Sequence, residues 1–506
     1  MCSNCLKKGF LEVRDKITTL FCSLRYYYRH KRSKGERRER EKIMAQEQSV
    51  ATGRLALDDA TVQAFEADLR SEVLRPTDEG YDEARKIHNG MIDRRPTLIA
   101  RCSGVADIIA SVRFAREQQL LISVRGGGHS VPGFCVCDGG LMIDLSRMRG
   151  VRVDAASRTV RAEAGTTWGD FDHETQAFGL ATTGGVARTT GIAGLTLGGG
   201  HGFLMRKYGL TCDNLLSVDL ITAEGQLLRA SAEEHPELFW GLRGGGGNFG
   251  IATSFEYRLH ELGPILGGML IYPLARAKEV FRVYRDLTSA APDEVNLDFA
   301  LATLPDGTQV AGILGCYAGP VAEGERLMAP LRSGSLLADE FGPMPYTALQ
   351  SLAENLNPPG MRNYWKSDYL GGLSDDAIDL LVEEYPSVPA PFSHLVIEQM
   401  GGAVSRIGEE ETAVSHRDAL YNAIIVGMWA EPAEDERLIG WVRRVWEALR
   451  PFTSGGVYVN YQMGDEGGDR LRAAYGPEKY ERLVALKNEY DPENIFRLNQ
   501  NVAPTA

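Results

Sequence analysis

The sequence predicts an α+β protein of two domains, and three observations carry that reading. At 506 residues the chain exceeds what one hydrophobic core organises. From Ala51 onward amphipathic helical stretches are interspersed with short apolar and β-branched runs. Glycine also gathers in three dense clusters between those runs, where neither a helix interior nor a central strand tolerates it.

Taken in order, Asp58–Leu69 has an acidic start and apolar residues at helical spacing. Ser103–Arg116 is a clearer amphipathic helix, followed by a strand at Leu121–Val124. Leu141–Leu145, Val151–Val153 and Thr159–Ala164 read as further strands, so residues 75–260 form a strand-rich α+β region. A second region begins near Gly263-Pro264. It mixes the strands Met269–Tyr272, Gln309–Leu314 and His394–Met400 with helices at Ala275–Leu287 and Asp435–Leu449. Pro358-Pro-Gly360 and Pro389-Ala-Pro391 interrupt it, and Tyr480–Phe496 reads as a closing helix.

Composition narrows the function classes. The hydrophobic fraction of 43% and charged fraction of 24% are those of a soluble globular protein. A net charge of −13 argues against nucleic acid as a partner. The charge is uneven, since residues 1–43 hold 13 Lys and Arg against 5 Asp and Glu. That basic head has no apolar run of signal-peptide or membrane-span quality and reads as a disordered extension over residues 1–49. Eight cysteines show no disulfide framework, and Cys2-x-x-Cys5 lacks a second ligand pair. The expectation is a cytoplasmic, reduced protein without a metal site.

The first glycine cluster, Arg125-Gly-Gly-Gly-His-Ser130, lets bare main chain approach a ligand and offer N–H groups to an anion. A single reactive side chain, His129, follows at once. The second cluster holds Gly184-Gly185, Gly191, Gly194, Gly198-Gly-Gly200 and Gly202, with His201 inside the last turn; that histidine reads as structural. The third, Arg243–Gly250, contains a formal G-x-G-x-x-G at Gly245, Gly247 and Gly250. A dinucleotide fold needs a strand before that motif and a helix after it, whereas here helix Pro236–Leu242 precedes and strand Ile251–Leu259 follows. Glycine loops between short strands fit an extended diphosphate cofactor held on loops, for which FAD is the natural candidate.

These residues resemble the FAD-linked oxidases of the berberine-bridge-enzyme type, within the vanillyl-alcohol-oxidase superfamily. The similarity rests on Arg125–Ser130, on Gly191-x-x-Gly-x-x-x-Gly-Gly-Gly-x-Gly202, on Arg206–Leu210 with Asp213-Asn214, on Leu238–Gly250, and on Asp491-Pro-x-Asn-x-Phe-Arg-x-Asn-Gln-Asn501. The resemblance implies a PCMH-type FAD-binding domain over 50–265, with its core at about 93–263. A substrate domain over 266–460 would be built on an antiparallel sheet covered by helices, and 461–506 would return to the FAD domain. It further implies cofactor contacts from Arg125, Gly126, Gly127, Gly128, His129, Ser130, Thr190, Gly191, Gly194, Gly198, Gly199, Gly200, Gly202, Asn214, Gly250, Ile251, Asn499 and Asn501.

His129 sits where the family attaches the flavin 8α-methyl group. Ala187 stands where doubly attached members carry a cysteine, so covalent FAD through His129 only is expected, with Cys135, Cys137 and Cys212 elsewhere in the pattern. Thr190 matches the position that gates oxygen. Hydride transfer from an alcohol needs a base, and Tyr458-Val-Asn-Tyr461 matches the family's tyrosine strand, with Tyr461 as base and Tyr458 second. A phenol's pKa must drop from about 10 to act near neutrality, through a nearby cation, for which Lys366 is the candidate, or through the electron-poor ring of the oxidised flavin. Glu398 or Gln399 would face the substrate, and His416-Arg-Asp418 would be structural. The function implied is oxidation of an alcohol, sugar, secondary-metabolite hydroxyl or amine-linked carbon, with molecular oxygen as acceptor. A dehydrogenase using another acceptor, or a flavoprotein that binds a drug or pigment without turnover, are the alternatives.

Overall fold

Short strands build the N-terminal half because apolar runs there are brief. The computed structural model describes residues 57–304, 306–352 and 357–505, so the basic extension lies outside the described residues. After helix α1 (Asp59–Asp68), the first sheet joins β1 (Val73–Leu74), β2 (Leu98–Arg101), β3 (Ile122–Arg125) and β4 (Leu141–Asp144) in the order β1-β2-β4-β3. Strand β4 runs parallel to both β2 and β3. Helix α2 (Val105–Glu117) makes the crossover that this parallel pairing requires, burying Ile108, Val112 and Ala115.

The second sheet is antiparallel and joins β5 (Val151–Asp154), β6 (Thr159–Glu163), β8 (Leu215–Ile221), β9 (Leu227–Ser231) and β10 (Ile251–Arg258) in the order β5-β6-β10-β8-β9. A two-stranded pair, β7 (Leu180–Ala181) with β11 (His260–Glu261), closes this half. Helix α3 (Trp168–Gln176) starts at a reciprocal cap between Thr167 and Asp170. Helix α4 (Ile192–Leu197) grows out of the second glycine cluster, and α5 (Pro236–Leu242) leads into the third.

Between Glu261 and Ile265 the chain enters a different layer. Strands β12 (Ile265–Pro273), β13 (Val295–Thr303), β14 (Gln309–Tyr317), β15 (Ala338–Asp339), β16 (Gly342–Met344), β17 (Arg362–Leu370), β18 (His394–Gln399) and β19 (Tyr421–Trp429) form one eight-stranded sheet. Its path runs β15-β12-β14-β13-β18-β19-β17, with β16 beside β12 and every pairing antiparallel. Helices α6 (Ala277–Ser289), α7 (Asp375–Glu384) and α8 (Asp435–Leu449) share one core with this sheet, in which Phe281, Tyr284, Trp441 and Val442 pack with Leu395, Ile397, Ala423 and Ile425.

Strand periodicity then decides what the other face carries. Ile397 faces the helices, so its neighbour Glu398 faces away from them, together with its cross-strand partners Asp298 and Asn422. The same rule corrects two expectations. Lys366 pairs with Ile425 and lies in the helix layer, where its Nζ sits 3.1 Å from Glu466 Oε1 and 5.4 Å from the Trp446 ring. Gln399 also turns to that side, donating to Thr288 O of α6 at 3.1 Å. Of the two residues offered at the end of β18, Glu398 is the one on the open face.

The C-terminal segment carries α9 (Pro477–Tyr490) and ends against the third glycine cluster. Asn248 anchors it, accepting from Val502 N at 3.0 Å and donating to Gln500 O at 3.2 Å. The expected helix over Tyr480–Phe496 stops at Tyr490, because the fully buried Asp491 carboxylate accepts the Ile495 and Phe496 amides and turns the chain.

Candidate active site

A cavity of about 370 Å³ lies between the glycine loops, the open face of the large sheet and the C-terminal segment. It is the size of a small-ligand or cofactor site. Gly126, Gly127, Gly128, His129 and Ser130 line it from the loop after β3. Thr190, Gly191 and Gly194 line it from the start of α4, and Gly250 and Ile251 from the third cluster. Asn499, Tyr458 and Tyr461 complete the set that the sequence singled out.

The first two clusters are glycine because their backbones cross. A Cβ on Gly127 would overlap Gly191 N, and one on Gly191 would overlap Gly127 N. Beside this crossing, the amides of Gly127, Gly128 and His129 meet no acceptor among the described residues. A Cβ at Gly194 or Gly247 would meet nothing within 4 Å, so these residues open into free space. Asn499 donates to Gly247 O at 3.0 Å while its own Oδ1 is buried without a partner. Free main-chain donors, bare backbone and an orphaned acceptor are what a polar, phosphorylated, ring-bearing cofactor such as FAD would fill.

The remaining predicted cofactor residues do not line the cavity. Arg125 is committed to the adjacent strand, giving Nε and Nη2 to Asp144 at 3.0 and 2.6 Å. Asn214 bonds His260 Nε2 at 2.7 Å and the Tyr208 and Leu210 carbonyls. Gly198, Gly199, Gly200 and Gly202 serve packing: a Cβ at Gly202 would overlap Gly184 O, and Gly200, at φ +95°, turns its amide to donate to Tyr458 Oη at 2.9 Å. Asn501 is not among the lining residues, and its Oδ1 is buried and unpartnered.

His129 is held in a small group of its own. Its ring stacks on His88 with centroids 4.2 Å apart, and Thr190 Oγ1 lies 3.4 Å from its Nδ1. Burial, reinforced by His88, pushes its pKa down to about 3, so the imidazole is neutral with a free lone pair. His88 escaped sequence reasoning; only proximity across 41 positions marks it. Ala187 lines the cavity and offers no sulfur at that position of the pattern, and Cys135 lines the cavity too. Burial holds that thiol up at about 11.

The tyrosines sit on a tight turn rather than a strand. Val459–Tyr461 is a single 3₁₀ turn, which places Tyr458 and Tyr461 edge to face, with centroids 4.8 Å apart, toward the same cavity. Strand alternation would have sent them to opposite sides. Tyr461 Oη donates to Glu398 Oε1 at 2.8 Å. The other carboxyl oxygen takes Asn422 Nδ2 at 2.8 Å and lies 3.0 Å from His201 Nδ1. His201 is therefore a partnered member of the site rather than an isolated turn residue: it stacks on Tyr458 at 3.8 Å, and its Nε2 lies 3.4 Å from Tyr369 Oη.

Among the described residues, no cation is seen to lower either phenol. Burial, then the Glu398 charge, holds Tyr461 well above its usual 10, and burial likewise raises Tyr458. Asp298, opposite Glu398, is held well above the carboxylate range by burial and by Glu398. His416 donates toward Ala473 O at 2.8 Å and Arg417 pairs with Asp213 at 2.7 Å, both outside the cavity. No helix among the described residues is long and apolar enough to cross a membrane.

Comparison with known proteins adds to this geometry. Residues 96–231 match the model of an FAD binding domain, and residues 457–503 match the model described as berberine and berberine like. An FAD-linked oxidoreductase of Dictyostelium discoideum is 31% identical over 447 residues, spanning 88% of this chain and 97% of that one. The (R)-6-hydroxynicotine oxidase of Paenarthrobacter nicotinovorans is 32% identical over 450 residues, spanning 86% of this chain and 97% of its own length. The crystal structure of 6-hydroxy-D-nicotine oxidase from Arthrobacter nicotinovorans superposes with a TM-score of 0.81 at 31% identity, covering 86% of this chain and 98% of that one. Glycine loops around an open cavity, a covering antiparallel sheet and these relatives together make the chain a member of the berberine-bridge-like FAD-linked oxidoreductases, an FAD-dependent oxidase with a PCMH-type FAD-binding fold.

Proposed function

We propose that the protein oxidises a small organic molecule at a carbon bearing a hydroxyl or amine, using FAD held covalently by His129 and passing the electrons to molecular oxygen. The observation that carries this reading is the 2.8 Å hydrogen bond to Glu398 from Tyr461, which lines the cavity that also holds His129. FAD, when bound, supplies the two-electron acceptor.

The chain supplies the proton path. A phenol raised well above 10 is not a resting phenolate, so Tyr461 does not act as a simple base. It acts as a relay: its oxygen takes the substrate proton while its own hydrogen moves to Glu398 Oε1. Asn422 and His201 hold Glu398 Oε2 and aim the carboxyl group at the phenol. Trp365, edge-on to Tyr461 at 5.6 Å, gives the cavity an aromatic wall suited to a flat or ring-bearing substrate. The similarity to an enzyme named for hydroxynicotine supports a small ring-bearing molecule.

Anaerobic mixing of the yellow protein with a panel of secondary alcohols, sugars and cyclic amines tests the reading. Bleaching by at least one member, followed by recovery of colour and hydrogen peroxide release in air, is the expected result. Bleaching without reoxidation by air would leave a dehydrogenase, and no bleaching by any class would leave a binding protein.

A further inference from the structure

We propose that His88 is a positioning residue for flavin attachment, fixing the plane of the His129 ring. The inference rests on the proposed attachment at His129 and names a residue that no motif marks. Its basis is how tightly the loop carrying His88 is tied to both sides of the attachment loop. His88 N donates to Gly128 O, the residue before His129, at 2.9 Å. Its carbonyl accepts from Gly360 N at 2.9 Å, and its Nε2 lies 3.0 Å from Asn357 Oδ1. The next residue, Asn89, clamps the same two segments, donating to Val131 O at 2.7 Å and to Asn363 O at 2.9 Å. The His88 ring is thus anchored before it meets His129, and the planes of the two stacked imidazoles lie within 23° of parallel.

Geometry makes this matter for bond formation. The nucleophilic lone pair of a neutral imidazole lies in the ring plane, so turning the ring about its side-chain bond sweeps the lone pair away from a fixed carbon. A flat anchored partner at 4.2 Å permits a narrow range of ring orientations. In the attachment, a His129 nitrogen bonds to the methyl carbon, that carbon gives up one hydrogen and the imidazole gives up its N–H proton. The electron pair released is taken up, with two protons, by dioxygen as hydrogen peroxide. His88 takes no part in these transfers; it holds the ring.

The test is to produce the full chain in riboflavin-starved cells as wild type, H88A, H88L and H88F. FAD is then added in air, and covalent flavin is followed by fluorescence of the denatured band and by mass. Wild-type and H88F chains should attach flavin at rates within about twofold of each other, because phenylalanine restores a flat ring. H88A and H88L should attach it about 10- to 100-fold more slowly. Both should still hold flavin that elutes on denaturation. H88A and H88L attaching at the wild-type rate, or H88F failing as they do, would overturn the proposal. If H88A does not fold, H88L against H88F still decides it. A wild-type chain that releases all its flavin on denaturation would instead overturn the attachment reading itself.

Discussion

Tyr461 and Glu398 meet at 2.8 Å although they belong to different parts of the chain, one on a 3₁₀ turn after the large sheet and the other at the end of a central strand of it. The bond joins the phenol facing the cavity to a carboxyl group that Asn422 and His201 hold from behind. If the two act as one relay, their removal should not be additive. Y461F is expected to slow anaerobic flavin reduction by about 100- to 10,000-fold with unchanged flavin content. E398Q should fall in the same range, and the double variant should be only a few-fold slower than either single one. Stopped-flow reduction measures all three, and fully multiplicative losses would separate the residues.

Gly247 and Gly202 lie in different glycine clusters but stand in opposite surroundings. A Cβ at Gly247 enters open cavity, whereas one at Gly202 would overlap Gly184 O. G247A should therefore unfold within about 1 kcal/mol of wild type but retain less flavin. G202A should lose about 1–3 kcal/mol or more, because the overlap is with main chain that cannot rotate away. Denaturant unfolding, with flavin content read in parallel, separates the two outcomes.

Asp172 links stability to pH. It is buried on α3 beside Gln350, with Oδ1 unpartnered, and burial raises its pKa to about 7. A folded-state acid raised above its unfolded value leaves stability intact below about pH 4. The stability then falls as pH rises toward 7, by a total on the order of 4 kcal/mol. D172N should remove this slope, so its melting temperature relative to wild type should rise steadily between pH 4 and pH 7. A constant difference across that range would rule the assignment out.

Thr190 stands on the cavity wall 3.4 Å from His129 Nδ1. If oxygen reaches the reaction centre past this side chain, T190L should slow reoxidation by air while leaving anaerobic reduction by substrate unchanged. Equal slowing of both half-reactions would point to a distorted cavity instead.

Much of the architecture is legible from local pattern. The helix at Asp435–Leu449 forms over those residues, and β14 and β18 begin where apolar runs begin, because amphipathic spacing reports directly on burial. The failures share one cause, which is that a site is assembled by tertiary geometry. Tyr458–Tyr461 carries strand-favouring residues yet folds as a 3₁₀ turn, since the Gly200 amide and Glu398 hold its two phenols. Lys366 and Trp365 are neighbours in sequence, and only the register against β19 shows which one turns to the helices. His201 gains its meaning from Glu398, 197 positions away. Arg125 sits inside the most distinctive motif but is spent on Asp144, a register partner that the motif does not contain.

The most direct test is the absorption spectrum of the purified wild-type chain before and after acid precipitation, repeated with H129A. The expected result is a yellow protein with a flavin spectrum whose colour stays in the wild-type pellet and passes to the supernatant in H129A. A wild-type protein that remains colourless after expression with added riboflavin would contradict FAD as the occupant of the glycine-lined cavity.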